Sequence, residues 1–202
     1  MNASEALKRL RALRAPVITT ADAATALKLR TDAASQTLRR LAAADLVFSL
    51  RKGLWALDAL PDPAPLAEHV SAPYPAYVSL QSALYLHGMI DQIPAMLYVA
   101  SLGRAARVQT AVGMFSIHHL PPELFGGFDF DRGSGAKLAT PEKALFDLVY
   151  LSGTRSRRFR GLPELELPRG FRPARIQHWI RRIPSQRLRT LATRRLNEIL
   201  GA

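Results

Sequence analysis

The segment that most narrows the fold is the first sixty residues. Residues 3–14 carry apolar positions at helical spacing, with Ala6, Leu7, Leu10 and Leu13 on one face, and Pro16 ends the run. Val17–Ile18 suits a short strand. Thr19 or Thr20 can cap a second helix running to Leu29, with Ala24 and Leu27 toward the core. A third helix is expected over residues 31–44, with Thr31 as its N-cap and Asp32 adding negative charge to its first turn. Ala34, Leu38 and Leu41 form its inner face. Ser35, Gln36, Arg39 and Arg40 project the other way. Residues 46–50 and 54–57 then read as two strands around Arg51-Lys52-Gly53, where Gly53 can take the positive φ of a tight hairpin. Trp55 is expected to pack that hairpin onto the helices. Helix, strand, helix, helix, hairpin is the order of a winged helix-turn-helix. Polar donors early in a helix, with arginines behind them, suit reading of a DNA major groove.

Charge strengthens that expectation. The 202 residues carry a net charge of +12, unevenly placed. Residues 1–60 contribute +5, residues 61–153 contribute −3 and residues 154–202 contribute +10. A basic excess at both ends favours a polyanionic partner. The chain has no cysteine, which removes disulfides and thiolate metal sites. No apolar run reaches the ~20 residues needed to span a bilayer, and the N-terminus lacks the apolar core of a signal peptide. A cytoplasmic protein without membrane contact is expected.

Residues 58–75 hold five prolines, so residues 61–75 read as a linker, with a short helix possible at Leu66–Val70. The domains expected are therefore 1–60, which binds DNA, and 76–202, of which 154–202 is an arginine-rich helical tail. The region after the linker reads as α+β. A helix follows Ser79 as cap over Leu80–His87, and strands are expected at 96–101, within 108–120 and at 137–139. Thr140 then caps a helix with Pro141 at its first position. In the tail, helices are expected over Pro173–Ile183 and Ser185–Leu200. Before them, Arg155, Arg157, Arg158 and Arg160, interleaved with Phe159, could hold phosphate.

Nothing in the sequence requires catalysis or a cofactor. His87, beside Gly88, suits capping or packing. His118 and His119 on a strand face opposite ways and cannot share a metal. Asp129, Asp131 and Lys137 resemble a nuclease carboxylate–lysine set, but the stretch between them is turn-like and no third ligand stands out. Gly126-Gly127 and Gly133-Ser134-Gly135 do not make a phosphate loop. Glu142 and Lys143 read as first-turn helix residues, and Asp147 as the surface partner of Lys143.

Three stretches of the second region resemble a known family. AYVSLQSALYLHGMIDQIP at 76–94, MLYVAS at 96–101 and LATPEKALFDLVYL at 138–151 are similar, in order and spacing, to segments of the AbiEi family. These are antitoxins of type IV toxin–antitoxin systems, which act in phage defence. The resemblance implies a winged-helix repressor that binds inverted repeats in its own promoter. It also implies a C-terminal domain that opposes a nucleotidyltransferase toxin, generally without a stable complex. The residues expected to contact double-stranded DNA are Ser35, Gln36, Arg39 and Arg40 for the groove, Arg51 and Lys52 on the wing, and Arg155, Arg157, Arg158 and Arg160 in the tail. Thr37 is assigned, with Ser35, to phosphate contact or packing. A ligand-responsive winged-helix transcription factor and a DNA-binding nuclease are the alternatives.

Overall fold

The computed structural model describes residues 2–153 and 165–201. They make a mixed α+β fold with several helices and two β-sheets. Two compact units are present: residues up to Pro63 together with Gln109–Gly113, and Ala64–Val108 together with the chain from Met114 onward.

In the first unit, α1 (Ala3–Arg11), β1 (Val17–Thr19), α2 (Thr20–Leu27) and α3 (Thr31–Ala43) precede a hairpin of β2 (Phe48–Arg51) and β3 (Leu54–Ala56). Asn2 caps α1 by accepting the Glu5 N–H at 2.8 Å. Leu13 lies beyond the end of that helix and is exposed, not buried as its spacing suggested. Thr19 and Asp22 close a capping box on α2. That helix stops at Leu27 because Lys28 turns left-handed (φ 55°), two residues short of the expected end. The start of α3 also differs from expectation. Arg30 occupies the cap position with extended backbone, and Thr31 is already helical, so its hydroxyl does not cap. Asp32 remains in the first turn, where its charge offsets the helix dipole.

The three strands form a sheet in the order β1-β3-β2, antiparallel throughout. Gly53 adopts φ +81° in the β2–β3 turn. A register shift between Ser49 and Arg51 bends β2. Leu10, Ile18, Leu27, Leu38, Leu41, Trp55 and Leu57 share one buried cluster. The Trp55 indole N–H donates to Thr20 Oγ1 at 3.0 Å, which pins the sheet to the start of α2.

In the second unit, residues expected to belong to the linker form α4 (Leu66–Ser71). It buries Leu66, Ala67 and Val70 and packs on β4 (Ala76–Val78). A six-stranded sheet follows, ordered β6-β7-β5-β4-β9-β8. Its other strands are β5 (Leu97–Ser101), β6 (Ala106–Thr110), β7 (Gly113–His119), β8 (Phe128–Phe130) and β9 (Lys137–Ala139). β4 pairs antiparallel with β5 and parallel with β9. Helix α5 is Leu80–Leu86, and α6 is Pro141–Gly153. α6 buries residues on all sides, from Ala144, Leu145 and Phe146 to Leu148 and Val149. It can do so because α5, α7 (Pro173–Arg181) and α8 (Gln186–Leu200) all pack around it. Ile176, Ile180, Ile183, Ala192 and Leu196 complete that cluster, so α7 and α8 are part of the core rather than an appended tail. Among the described residues no helix is long and apolar enough to cross a membrane.

Candidate nucleic-acid interface

Helix α3 is two-faced. Ala34, Thr37, Leu38 and Leu41 are buried, and Gln36, Arg39 and Arg40 are exposed. Ser35 is half-buried. The 3.6-residue period therefore turns three of the four expected groove residues outward together and leaves Ser35 at the margin. Thr37 faces the core side, donating its hydroxyl to the Ala33 carbonyl at 3.0 Å, so of its two assigned roles it fills packing. The same hydroxyl oxygen accepts a hydrogen bond from Arg40 Nη2 at 3.3 Å. Sequence reasoning missed this link: the i, i+3 spacing makes the two side chains neighbours, but only their geometry shows the bond.

Lys52 is exposed at the β2–β3 turn, and Arg51 beside it is half-buried. Arg155, Arg157, Arg158 and Arg160 lie outside the described residues. On α7 and α8, Arg175, Arg181, Arg182, Arg187 and Arg194 are exposed. Arg189 is half-buried and donates to the Ile183 carbonyl, which closes the α7–α8 corner.

The second unit holds a charged centre that sequence reasoning placed on the surface. Lys143 and Asp147 are both fully buried and form an ion pair one turn apart on α6. Asp147 Oδ2 also accepts the Tyr77 hydroxyl at 2.9 Å and the Ser79 hydroxyl at 2.7 Å. Ser79 sits at the N-cap position of α5 but makes no cap bond; its hydroxyl donates to Asp147 instead. The following residue, Leu80, is buried with φ +52°, a left-handed conformation costing ~1–2 kcal/mol in a non-glycine residue. The Lys143 ammonium lies 4.6 Å from the Trp179 ring centre, 4.9 Å from Phe146 and 5.6 Å from Tyr77. Burial pushes the Asp147 carboxyl above its usual range, against the opposing pull of Lys143 and the two hydroxyls. Burial likewise pushes Lys143 down, opposed by Asp147. Tyr77 is raised well above its ordinary value by burial and then by the Asp147 charge. Lys143 and Asp147 have no exposed surface, so they reach no substrate in this arrangement. They fix α6 to β4.

Glu142 belongs to the same first turn and is also buried. Its Oε1 accepts the Arg172 backbone N–H at 3.0 Å, with the Arg175 guanidinium 3.7 Å away. It is thus the anchor for the start of α7, more than a first-turn helix residue.

The carboxylate–lysine set does not assemble. Lys137 pairs with Glu68 on α4 at 2.7 Å, while Asp131 accepts from the Ser134 N–H and hydroxyl within its own turn. Those two bonds hold the Asp131 carboxyl below its usual range. His87 Nε2 lies 2.7 Å from the Ala139 carbonyl, a packing role. His118 stacks on Tyr98, and His119 Nδ1 faces the carbonyls of Leu102 and Gly103. Among the described residues no three His, Asp or Glu side chains are grouped to hold a metal.

No protein-family model and no curated protein matches the chain.

Proposed function

We propose that this protein is a sequence-specific, double-stranded-DNA-binding repressor that also serves as the antitoxin of a type IV toxin–antitoxin system, and that it is not an enzyme. The observation that carries the DNA reading is the outer face of α3, where Gln36, Arg39 and Arg40 are exposed side by side. The helix, strand, helix, helix, hairpin order around it, with Lys52 at the hairpin turn, supports a winged helix-turn-helix. In such a module α3 enters the major groove, its polar side chains meet base edges, and the turn lies along phosphate. The exposed arginines of α7 and α8 add a sequence-independent attraction. The antitoxin reading, with autoregulation through inverted repeats and opposition to a nucleotidyltransferase toxin, rests on the resemblance of residues 76–101 and 138–151 to the AbiEi family.

The DNA reading is tested by enriching duplexes from a randomised library with the full chain, then measuring mobility shifts of the enriched duplex. Arg39→Ala/Arg40→Ala is expected to weaken binding by ~10-fold or more, since each lost bidentate base contact removes ~1–3 kcal/mol. Unchanged affinity would remove α3 from the groove. The antitoxin reading is tested by coexpression with a nucleotidyltransferase encoded in the adjacent reading frame. Failure to relieve growth arrest would end it.

A further inference from the structure

The two arginines on the outer face of α3 are not equivalent, and Thr37 is the reason. Thr37 is buried, and its hydroxyl is oriented by the bond it donates to the Ala33 carbonyl. Its oxygen still has lone pairs with which to accept a second hydrogen bond. Arg40 Nη2 donates to this oxygen at 3.3 Å. The guanidinium is thereby drawn one turn back toward the N-terminal half of α3. Side chains in a helix lean that way already, and residues three apart are neighbours. Arg39 is exposed, and its side chain has no hydrogen-bond or ion-pair partner among the described residues.

From this we infer that Thr37 is a positioning residue that preorganises Arg40 as the base-reading arginine, leaving Arg39 as the phosphate contact. The inference rests on the DNA-binding reading above and divides its labour. The N-terminal part of a recognition helix is the part that meets base edges. An arginine reads guanine through a planar fork aimed at O6 and N7, so its orientation decides its selectivity. A guanidinium held before binding loses less rotamer freedom on contact. A phosphate contact needs only charge, which an untethered Arg39 supplies.

The test uses the full chain and a randomised duplex library. Wild type, Thr37→Val, Thr37→Ser, Arg40→Lys and Arg39→Lys each enrich duplexes. Affinity is then measured for the wild-type-enriched duplex and for a scrambled one. Valine keeps the β-branched shape, and the Ala33 carbonyl retains its helical N–H partner. Thr37→Val is expected to lower the enriched-to-scrambled affinity ratio ~2–10-fold, the equivalent of one net hydrogen bond. The thermal midpoint should be unchanged and Thr37→Ser should restore the ratio. Arg40→Lys lies on the surface, keeps the charge and does not depend on Thr37→Val folding. It should lower the ratio as much or more and blur the enriched motif at one position. Arg39→Lys should leave the ratio within 2-fold. If Thr37→Val and Arg40→Lys both enrich the wild-type motif at the wild-type ratio, the division of labour is wrong while the DNA reading stands. If wild type enriches no motif, both fall together.

Discussion

Lys143 and Asp147 face each other across one turn of α6 with neither side chain exposed to solvent. A pair at this spacing on a helix surface contributes only a few tenths of a kcal/mol. Sealed in the core, the same pair is governed by much stronger opposing effects. Removing two charges from water costs several kcal/mol per ion, and the mutual attraction and added hydrogen bonds offset it. Here those bonds come from Tyr77 and Ser79 on the Asp147 side, and aromatic faces line the Lys143 side.

The first expectation is strong coupling between the two positions. Lys143→Met leaves a carboxylate buried without its cation, and Asp147→Asn leaves an ammonium buried without its anion. Each is expected to lower unfolding free energy by ~3–5 kcal/mol. The double variant removes both charges while an Asn oxygen still accepts from Tyr77 and Ser79. It should cost clearly less than the two single losses together. Urea denaturation of the four proteins measures the cycle. Additive losses would show that the charges act independently.

The same pair predicts a pH signature. The folded state raises Asp147 above its ordinary 3.8, so over the interval from 3.8 up to the folded value the native protein holds a proton that the unfolded chain has released. Stability from this group falls as pH rises through that interval. The folded state lowers Lys143 below its ordinary 10.5, so from the folded value up to 10.5 the unfolded chain holds the extra proton. Stability from this group rises with pH there and is lost as pH falls. The unfolding free energy of wild type relative to Lys143→Met/Asp147→Asn should therefore decline with rising pH on the acid side and recover on approach to 10.5. A flat difference across both intervals would contradict the burial of the pair.

Much of the first unit is legible from sequence because its signals are local. A threonine cap at 19 or 20, the period of Ala34, Leu38 and Leu41, and Gly53 between two apolar runs each act over a few residues; that Thr19 is the cap, boxed with Asp22, came from the structure. The details that fail, the cap of α3 and the end of α2, depend on the backbone of single residues, Arg30 and Lys28. The charged centre fails for another reason. Lys143 and Asp147 carry the spacing of a common surface pair, and what buries them comes from far along the chain: Tyr77 and Ser79 on one side, Trp179 on the other. One local signal did exist. Residues 144–151 are apolar on nearly every face, which marks a helix enclosed on all sides, so a charge within it must be enclosed too. The exposed outer face of α3, by contrast, follows from periodicity alone, but the Thr37–Arg40 tether needs side-chain geometry.

Gly127 provides a check on the packing over Lys143. It holds φ +72°, and a Cβ there would lie 2.7 Å from Trp179 Cζ2 and 3.0 Å from Lys143 Cγ. Gly127→Ala therefore combines a left-handed alanine with overpacking and should cost at least ~2 kcal/mol. A thermal midpoint matching wild type would show that Trp179 does not close over Lys143.

The arginines of α7 and α8 must be tested by charge, not by deletion. A chain ending at Gly153 would lose Ile176, Ile180, Ile183, Ala192 and Leu196 from the cluster around α6. Each buried isoleucine or leucine is worth ~1.5–3 kcal/mol, and the total stability of a domain is only ~5–15 kcal/mol. That truncation is expected to unfold the second unit, visible as a lost near-ultraviolet dichroism signal, and to say nothing about DNA. Arg181→Gln/Arg187→Gln changes two exposed side chains and leaves those contacts in place. If α7 and α8 touch phosphate, the variant should lose affinity for enriched and scrambled duplexes by similar factors. The slope of log affinity against log salt should flatten by ~0.9 for each phosphate contact removed. Lys52→Ala at the β2–β3 turn should behave in the same way. Unchanged affinity and slope at low salt for Arg181→Gln/Arg187→Gln would exclude these two arginines from the DNA interface.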